Sequence, residues 1–398
     1  MRFLLYSWGA NNEQVLADNL IQQGYEIIWF HKECKHYTRD MELALDMIQC
    51  IHAKSVGAVI SFNYFPIISM ICNTCQITYY AWVYDCPHFT LYAKQLSLPC
   101  NHVGIFDREM VGHLEAYGIH TVSHVPLSVD TEYFDKAINA AVHQERRKYQ
   151  CDISFVGSLY TDEHNYYDLL FDEKSGTEKM NDIIKKQCFS YQENYLQQCI
   201  VDGKIDLRVL QEKMERQGLM LGEDYFAKPA DILMAAVLEK KVTVEERRIL
   251  LEKIVETFRD DNGGNYDFRL YTGSNTERNT KLNACNHGTI DYYTQMPLVF
   301  SGSKINLNIS LRSIHSGIPL RVLDIMACGG FVLSNWQPEI AESFAEGVEI
   351  ATFSSLEECI EKIGYYLRHE KERKQIAAAG RKKVQEAFSY QKGLGRLW

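Results

Sequence analysis

The feature that most limits how this chain can fold is a strict alternation of short β-rich runs and helical patterns, which starts at the N-terminus and later starts again. Arg2–Ser7 reads as a strand. Residues 12–23 place Val15, Leu16, Leu20 and Ile21 at helical spacing and stop at Gly24, and residues 25–30 return as a strand. The series continues with a helix over 41–52, strands over 56–62, 78–84 and 102–106, a helix over 107–117 closed by Gly118, and a strand over 121–125. Strand and helix in strict turn imply a parallel sheet covered on both faces. A second start follows at Cys151, where CDISFVGSLY reads as a strand entering a small-residue turn. Strands over 268–272, 304–309 and 331–334, with helices over 319–327, 356–367 and 370–387, repeat the pattern.

Two starts in 398 residues predict two domains. We expect an N-terminal Rossmann-like domain over 1–136, a linker over 137–150, and a C-terminal Rossmann-like domain over 151–398. Within the second, residues 161–241 are rich in Tyr, Gln, Lys and acids and lack strand patterns, so they read as a helical insertion. Thr243 with Glu246 reads as a capping box that opens the next helix. The expected fold class is α/β: two doubly wound parallel sheets facing a cleft, with ligand bound outside the carboxyl ends of the strands.

With 52 acidic and 42 basic side chains the formal charge is -10, which argues against non-specific binding to nucleic acid or anionic lipid but not against a small anion held locally. Twelve scattered cysteines behind an opening MRFLLYSWG without an apolar signal core predict reduced thiols and a cytoplasmic protein. Cys72 and Cys75, with Cys86 and His88 downstream, carry a zinc-like spacing, but they lie in an apolar run where buried thiols are common, so no metal is expected. That run has no charge over 55–84. Asn63, Pro66, Asn73 and Gln76 argue for buried strands around a short helix rather than a transmembrane segment. The first strand leads into SWGANNE and not G-x-G-x-x-G, which disfavours a nicotinamide dehydrogenase.

The most informative chemistry lies in SIHSGIPLRVLDIMACGGFVLS, residues 313–334. The Ser316-Gly317 turn precedes a helix expected to begin at Pro319, so free backbone N–H groups and the positive helix end suit an anion. Arg321 in the first turn opposes the helix dipole, which makes it the leading candidate for holding a diphosphate, and Asp324 one turn on could accept hydrogen bonds from ribose hydroxyls. Gly157 and Ser158 form a second turn where backbone could approach a ligand. Tyr271 and Thr272 end a strand where they could pack a nucleobase or belong to the core. Ser301, Ser303, Lys304, Asn306, Asn308 and Arg312 set polar groups along the neighbouring strand. In the first domain Trp82, Asp85 and His88 follow a buried strand, and Asp85 or His88 supplies a candidate general base.

The chain resembles the CgeB-like spore-maturation group of bacterial glycosyltransferase-related proteins, which have the two-Rossmann-domain GT-B fold. The resemblance rests on WVYDCPH, VGIFDREMVGHLEAYGI with VPLSVD, CDISFVGSLY, TVEERR, INLNIS followed by PLRVLDIMACGGFVLS, and the C-terminal run from EIATFSSLEECIEKIG onward. It implies transfer of a sugar from a nucleotide-diphosphate donor, most simply a UDP-sugar, with donor on the C-terminal domain and a glycan or protein acceptor on the N-terminal one. Many retaining enzymes of this fold carry two glutamates eight positions apart; here Ser316 stands eight residues before Asp324. No Asp-x-Asp occurs, so metal-independent transfer is expected. Two alternatives share the fold: an inactive binding scaffold that recruits a protein partner through the helical insertion, and a nucleotide-sugar epimerase.

Overall fold

Because each strand of the first 130 residues is followed by a segment that returns the chain to the same end of the sheet, the strands can pair only in parallel. In the computed structural model, which describes residues 1–161, 165–171, 177–259 and 266–398, six strands do so: β1 (Arg2–Ser7), β2 (Glu26–His31), β3 (Ala58–Phe62), β4 (Thr78–Val83), β5 (Asn101–Ile105) and β6 (Val122–His124). Their order is β2-β1-β3-β4-β5-β6, with Leu4 paired to Ile28 on one side and Val59 on the other. The second sheet has the order β11-β10-β9-β7-β8, from β7 (Cys151–Val156), β8 (Phe268–Tyr271), β9 (Ser303–Asn308), β10 (Val332–Asn335) and β11 (Ala351–Phe353). Sequence patterning missed β11, whose three residues are too few to show a period.

In each sheet the strand order reverses once, between β1 and β3 and between β7 and β9. At such a switch point the connections leave in opposite directions and open a crevice at the carboxyl ends of the strands. The loops at these two places, residues 8–12 and 63–65 in the first domain and 157–158 and 309–317 in the second, are therefore where a ligand fits.

The domains are joined by more than a linker. Of the residues expected to be a linker, 137–140 end the helix Thr131–Ala140 and 143–148 form the helix His143–Lys148. Phe106, Leu127, Val129 and Phe134 share one buried cluster with Ile318, Val322, Phe344 and Phe388 of the second domain. The final helix, Tyr390–Leu397, returns to the first domain, where Leu394 and Leu397 pack with Phe3, Leu5 and Trp82. Gly393 is required at that crossing, because a Cβ there would lie 2.2 Å from the Trp82 ring.

The described part of the insertion is helical, with Thr177–Gln187, Tyr195–Val201 and Leu207–Arg216 around their own apolar cluster. Residues 162–164 and 172–176 of that expected segment lie outside the described residues. Its distal end clasps the first domain: Tyr225 bridges to Ala93, and Tyr117 Oη donates to Asp231 at 2.6 Å. The capping box at Thr243 is a correction, because the chain is already helical from Pro229 and runs through a π-helical turn into Glu239–Phe258. Thr243 Oγ1 instead donates to the Glu239 carbonyl and accepts from the Arg312 amide.

Candidate functional site

The crevice of the second sheet holds a side chain that sequence reasoning passed over. Arg247 lies on the helix Glu239–Phe258, on the face that also buries Leu250, Leu251 and Ile254. Its guanidinium reaches across the switch point and donates from one Nη to the Ser158 carbonyl and from the other to the Ile309 carbonyl. Those carbonyls follow β7 and β9, the strands that flank the crevice. Arg247 is only 7% exposed, its Nε has no hydrogen-bond partner, and no carboxylate forms an ion pair with it among the described residues. The adjacent Glu246 is engaged elsewhere, in a buried pair with Arg312 and as acceptor for the Phe189 amide. Burial pushes the Arg247 pKa down, Tyr160 and the neighbouring Glu246 charge pull it part of the way back, and Arg321 adds to the downward push. A buried cation without a counter-ion is costly unless an anion arrives. Its signal was available in TVEERR, where an arginine occupies a core position of an apolar helical stripe.

Gly157 sits beside this group: a Cβ there would come 3.9 Å from Arg247 Nη1. Ser158 Oγ accepts from the Tyr160 amide and lies 3.1 Å from Ser274 Oγ, which holds the turn in place. Arg321 is in the first turn of the helix Leu320–Ala327, which has Pro319 as its N-cap and so starts one residue later than expected. One Nη contacts Met296 Sδ at 2.6 Å and Asp324 at 3.4 Å. Its other donors have no partner among the described residues, and the side chain is 29% exposed.

Asp324 departs from its expected role. It is 1% exposed, Oδ1 accepts from Tyr292 at 3.0 Å, and Oδ2 pairs with Arg321, so no face is left for a ribose. Burial pushes its carboxyl up to about 6, against the pull of Arg321. Tyr292 Oη in turn accepts from Asn12 Nδ2 of the first domain at 2.9 Å, so Asp324 orients Arg321 and links to the β1 loop.

The Ser316-Gly317 turn also requires correction. An anion does sit on its amides, but it is the Asp107 carboxylate of the first domain. Oδ2 accepts from His315 N at 2.6 Å, Ser316 N at 3.1 Å and Gly317 N at 3.4 Å, while Oδ1 caps the helix Arg108–Ala116 through Met110 N. Ser316 Oγ lies 2.7 Å from Glu339, and a Cβ on Gly317 would meet the Phe106 ring at 2.7 Å. This turn is an interdomain joint rather than an open diphosphate cradle.

Other expected contacts are structural. Tyr271 is buried beside His287, and the Thr272 hydroxyl accepts from Ser274 N in a tight turn. Asn308 is buried and donates to Ser310 and Ser334, tying β9 to β10. Asn306 bonds Ser154 within the sheet. Ser301 and Ser303 hydrogen-bond carbonyls of the helix Met296–Gly302. Lys304 pairs with Asp152 at the start of β9, the strand end away from the crevice.

In the first domain the switch point opens into a cavity of about 610 Å³ lined by Ser7, Trp8, Lys32, Asn63, Asp85 and His88. Asn63, in the left-handed region at φ 59°, folds its side chain back: Oδ1 accepts from the Tyr84 and Asp85 amides, and Nδ2 donates to Asp85 Oδ2 at 2.6 Å. Asp85 is thereby aimed into the cavity from an exposed loop. His88 Nε2 is held by Thr90 Oγ1 at 2.6 Å and lies 3.1 Å from the Tyr64 carbonyl, and burial pushes its pKa down, keeping it neutral. Trp82 is core. The two domains thus present a carboxylate at one crevice and two guanidiniums at the other. Cys86 donates to the Ser313 carbonyl, and among the described residues no three His, Cys, Asp or Glu side chains are grouped to hold a metal.

This geometry defines a two-domain GT-B fold. Residues 247–397, a stretch that includes both Arg247 and Arg321, match the model of the glycosyl transferase-like family. The fold is similar to that of a glycosyltransferase from Rickettsia africae (13% identity, TM-score 0.54, 99% of this chain and 96% of that one). It is similar also to a sucrose-phosphate synthase from Thermosynechococcus elongatus (9%, TM-score 0.54, 99% and 97%). A third likeness is to the Anabaena protein HepE in complex with UDP-glucose (8%, TM-score 0.52, 100% and 98%). No curated protein matches the chain. No helix among the described residues is long and apolar enough to cross a membrane.

Proposed function

We propose that this protein is a glycosyltransferase of the CgeB-like group that moves a sugar from a UDP-sugar to a glycan or protein acceptor. The observation that carries the reading is Arg247, a buried guanidinium without a carboxylate at the switch point of the second sheet, with the half-exposed Arg321 beside it. A diphosphate seated on the Gly157-Ser158 turn would meet Arg321 from the cleft and feel Arg247 from beneath. Both cations are fixed before the reaction, so they stabilise the charge that grows on the leaving diphosphate without reorganising. In this reading the two guanidiniums carry that charge and no metal is needed. The UDP complex of the Anabaena protein on the same fold supports UDP as the first donor base to test.

Asp85 is the proposed base: it accepts the acceptor hydroxyl proton as the new C–O bond forms at the anomeric carbon and the bond to the diphosphate breaks, the electron pair leaving with UDP. His88, neutral and held by Thr90, shapes the pocket. Twelve free thiols suit the cytoplasm as the compartment. Thermal-shift measurements against a panel of nucleotide sugars test the reading, because a ligand at about 100 times its Kd stabilises by about 2.7 kcal/mol. Stabilisation by a UDP-sugar is expected; a panel with no hit removes the proposal.

A further inference from the structure

The first-domain cavity of about 610 Å³ has the size of a small-molecule site, and one of its walls is aromatic. Phe65 is buried and lies 6.3 Å from the Trp8 ring and 5.9 Å from the Tyr37 ring, so those two rings flank it. Both flanking rings line the cavity and are open to solvent, Trp8 at 39% exposure and Tyr37 at 47%. Trp8 is nevertheless held in place. Its Nε1 donates to the Phe62 carbonyl at 2.9 Å and its amide donates to Glu13 at 3.0 Å. Glu13 also accepts from Ser7 Oγ and the Ala10 amide, which fixes the loop after β1. The indole has no second donor, so what it offers a ligand is its π surface. Keeping that apolar surface in water is unfavourable, and a ligand that covers it gains the difference.

The charges around the cavity narrow the ligand further. Among the described residues Lys32 is the one lysine or arginine that lines it, and its ammonium already pairs with Asp46 and, at 3.0 Å, with Glu42. Glu33 and Asp85 line the same walls, and burial keeps His88 neutral. The excess of negative charge disfavours a phosphate or carboxylate. Asp85 is exposed and is held by Asn63 through one oxygen; its other oxygen has no hydrogen bond among the described residues and can accept from a hydroxyl. A ligand here therefore needs a face of C–H bonds, hydroxyl donors at its edge and no anionic group. A neutral pyranose has all three, and its slightly positive C–H hydrogens match the negative face of the indole.

We propose that this cavity takes the acceptor as a neutral pyranose unit stacked on Trp8, with a hydroxyl toward Asp85, and that it rejects phosphorylated sugars. That the bound sugar is the acceptor rests on the transferase reading above; its stacking on Trp8 does not. The test is saturation-transfer NMR on the full chain, without UDP, using methyl glycosides of glucose, galactose, mannose and N-acetylglucosamine. At least one should bind in the millimolar range, and the 6-phosphate of that sugar should bind about tenfold more weakly or worse. Trp8→Ala should abolish the signal. Tyr37→Ala trims an exposed ring whose hydroxyl makes no hydrogen bond among the described residues, so it should fold normally and weaken the glycoside about threefold. No binding by any of the four glycosides, binding that neither substitution changes, or a phosphorylated sugar bound as tightly as the neutral one overturns the proposal. UDP binding without glycoside binding overturns it and leaves the transferase reading standing; glycoside binding without UDP binding does the reverse.

Discussion

Replacing Arg247 by Met separates a ligand-holding cation from a structural one, because Met fills a similar volume without charge. A Cβ on Gly157 would lie 3.9 Å from Arg247 Nη1, so for an anion in contact with the outer side of that turn we take a charge separation of about 7 Å. At an effective dielectric of about 20, one unit of charge at that separation is worth about 2 kcal/mol. UDP affinity should therefore fall roughly 30-fold. Stability should move little, since a buried cation without a counter-ion exchanges its desolvation cost against two hydrogen bonds to the Ser158 and Ile309 carbonyls. Isothermal calorimetry with UDP and urea unfolding read the two quantities independently. Unchanged UDP affinity in Arg247→Met would refute the reasoning, and so would a large loss of stability with normal binding, because Arg247 would then be only a strut.

Asp85→Asn should lower the rate of sugar transfer by roughly 10²- to 10⁴-fold while leaving UDP affinity unchanged, measured by transfer from a radiolabelled UDP-sugar. Asp107→Asn, which replaces one oxygen of an interdomain carboxylate by a donor facing other donors, should cost about 2 to 4 kcal/mol in urea unfolding; a change below 0.5 kcal/mol would remove the joint from the account. The Glu239 charge holds the His315 pKa at about 9, above the ordinary value near 6.5. The stability from that pair is complete below about 6.5 and lost as pH rises through about 9, so His315→Gln should flatten the fall in Tm across that interval. Gly393→Ala should destabilise by about 1 to 3 kcal/mol, because its methyl has no room against Trp82.

Much of this architecture is legible from periodicity. Strands such as Ala58–Phe62 are buried on both faces and so read as continuous apolar runs, and the helix over 370–387 has the same bounds in the sequence reading and the structure. What periodicity does not carry is which loop a charged side chain will reach. Asp107 reads as the first residue of a helix and caps it instead, and its second oxygen closes the turn of the other domain, 208 residues away. Asp324 reads as a cleft carboxylate because nothing local shows that Tyr292 and Arg321 enclose it. Thr243 and Glu246 imitate a helix start because a capping box and a clamp for a distant arginine use the same residue types. Arg247 was within reach, since a cation at a core position of an apolar stripe is an anomaly that asks for an anion.

A crystal soaked with UDP tests the central claim most directly. The account predicts the diphosphate on the Gly157-Ser158 turn, with phosphate oxygens at hydrogen-bond distance from Arg321 and Arg247 as the next cation. Density for the diphosphate in the outer groove beside Arg248 and Arg278, with the crevice between β7 and β9 unchanged, would contradict it.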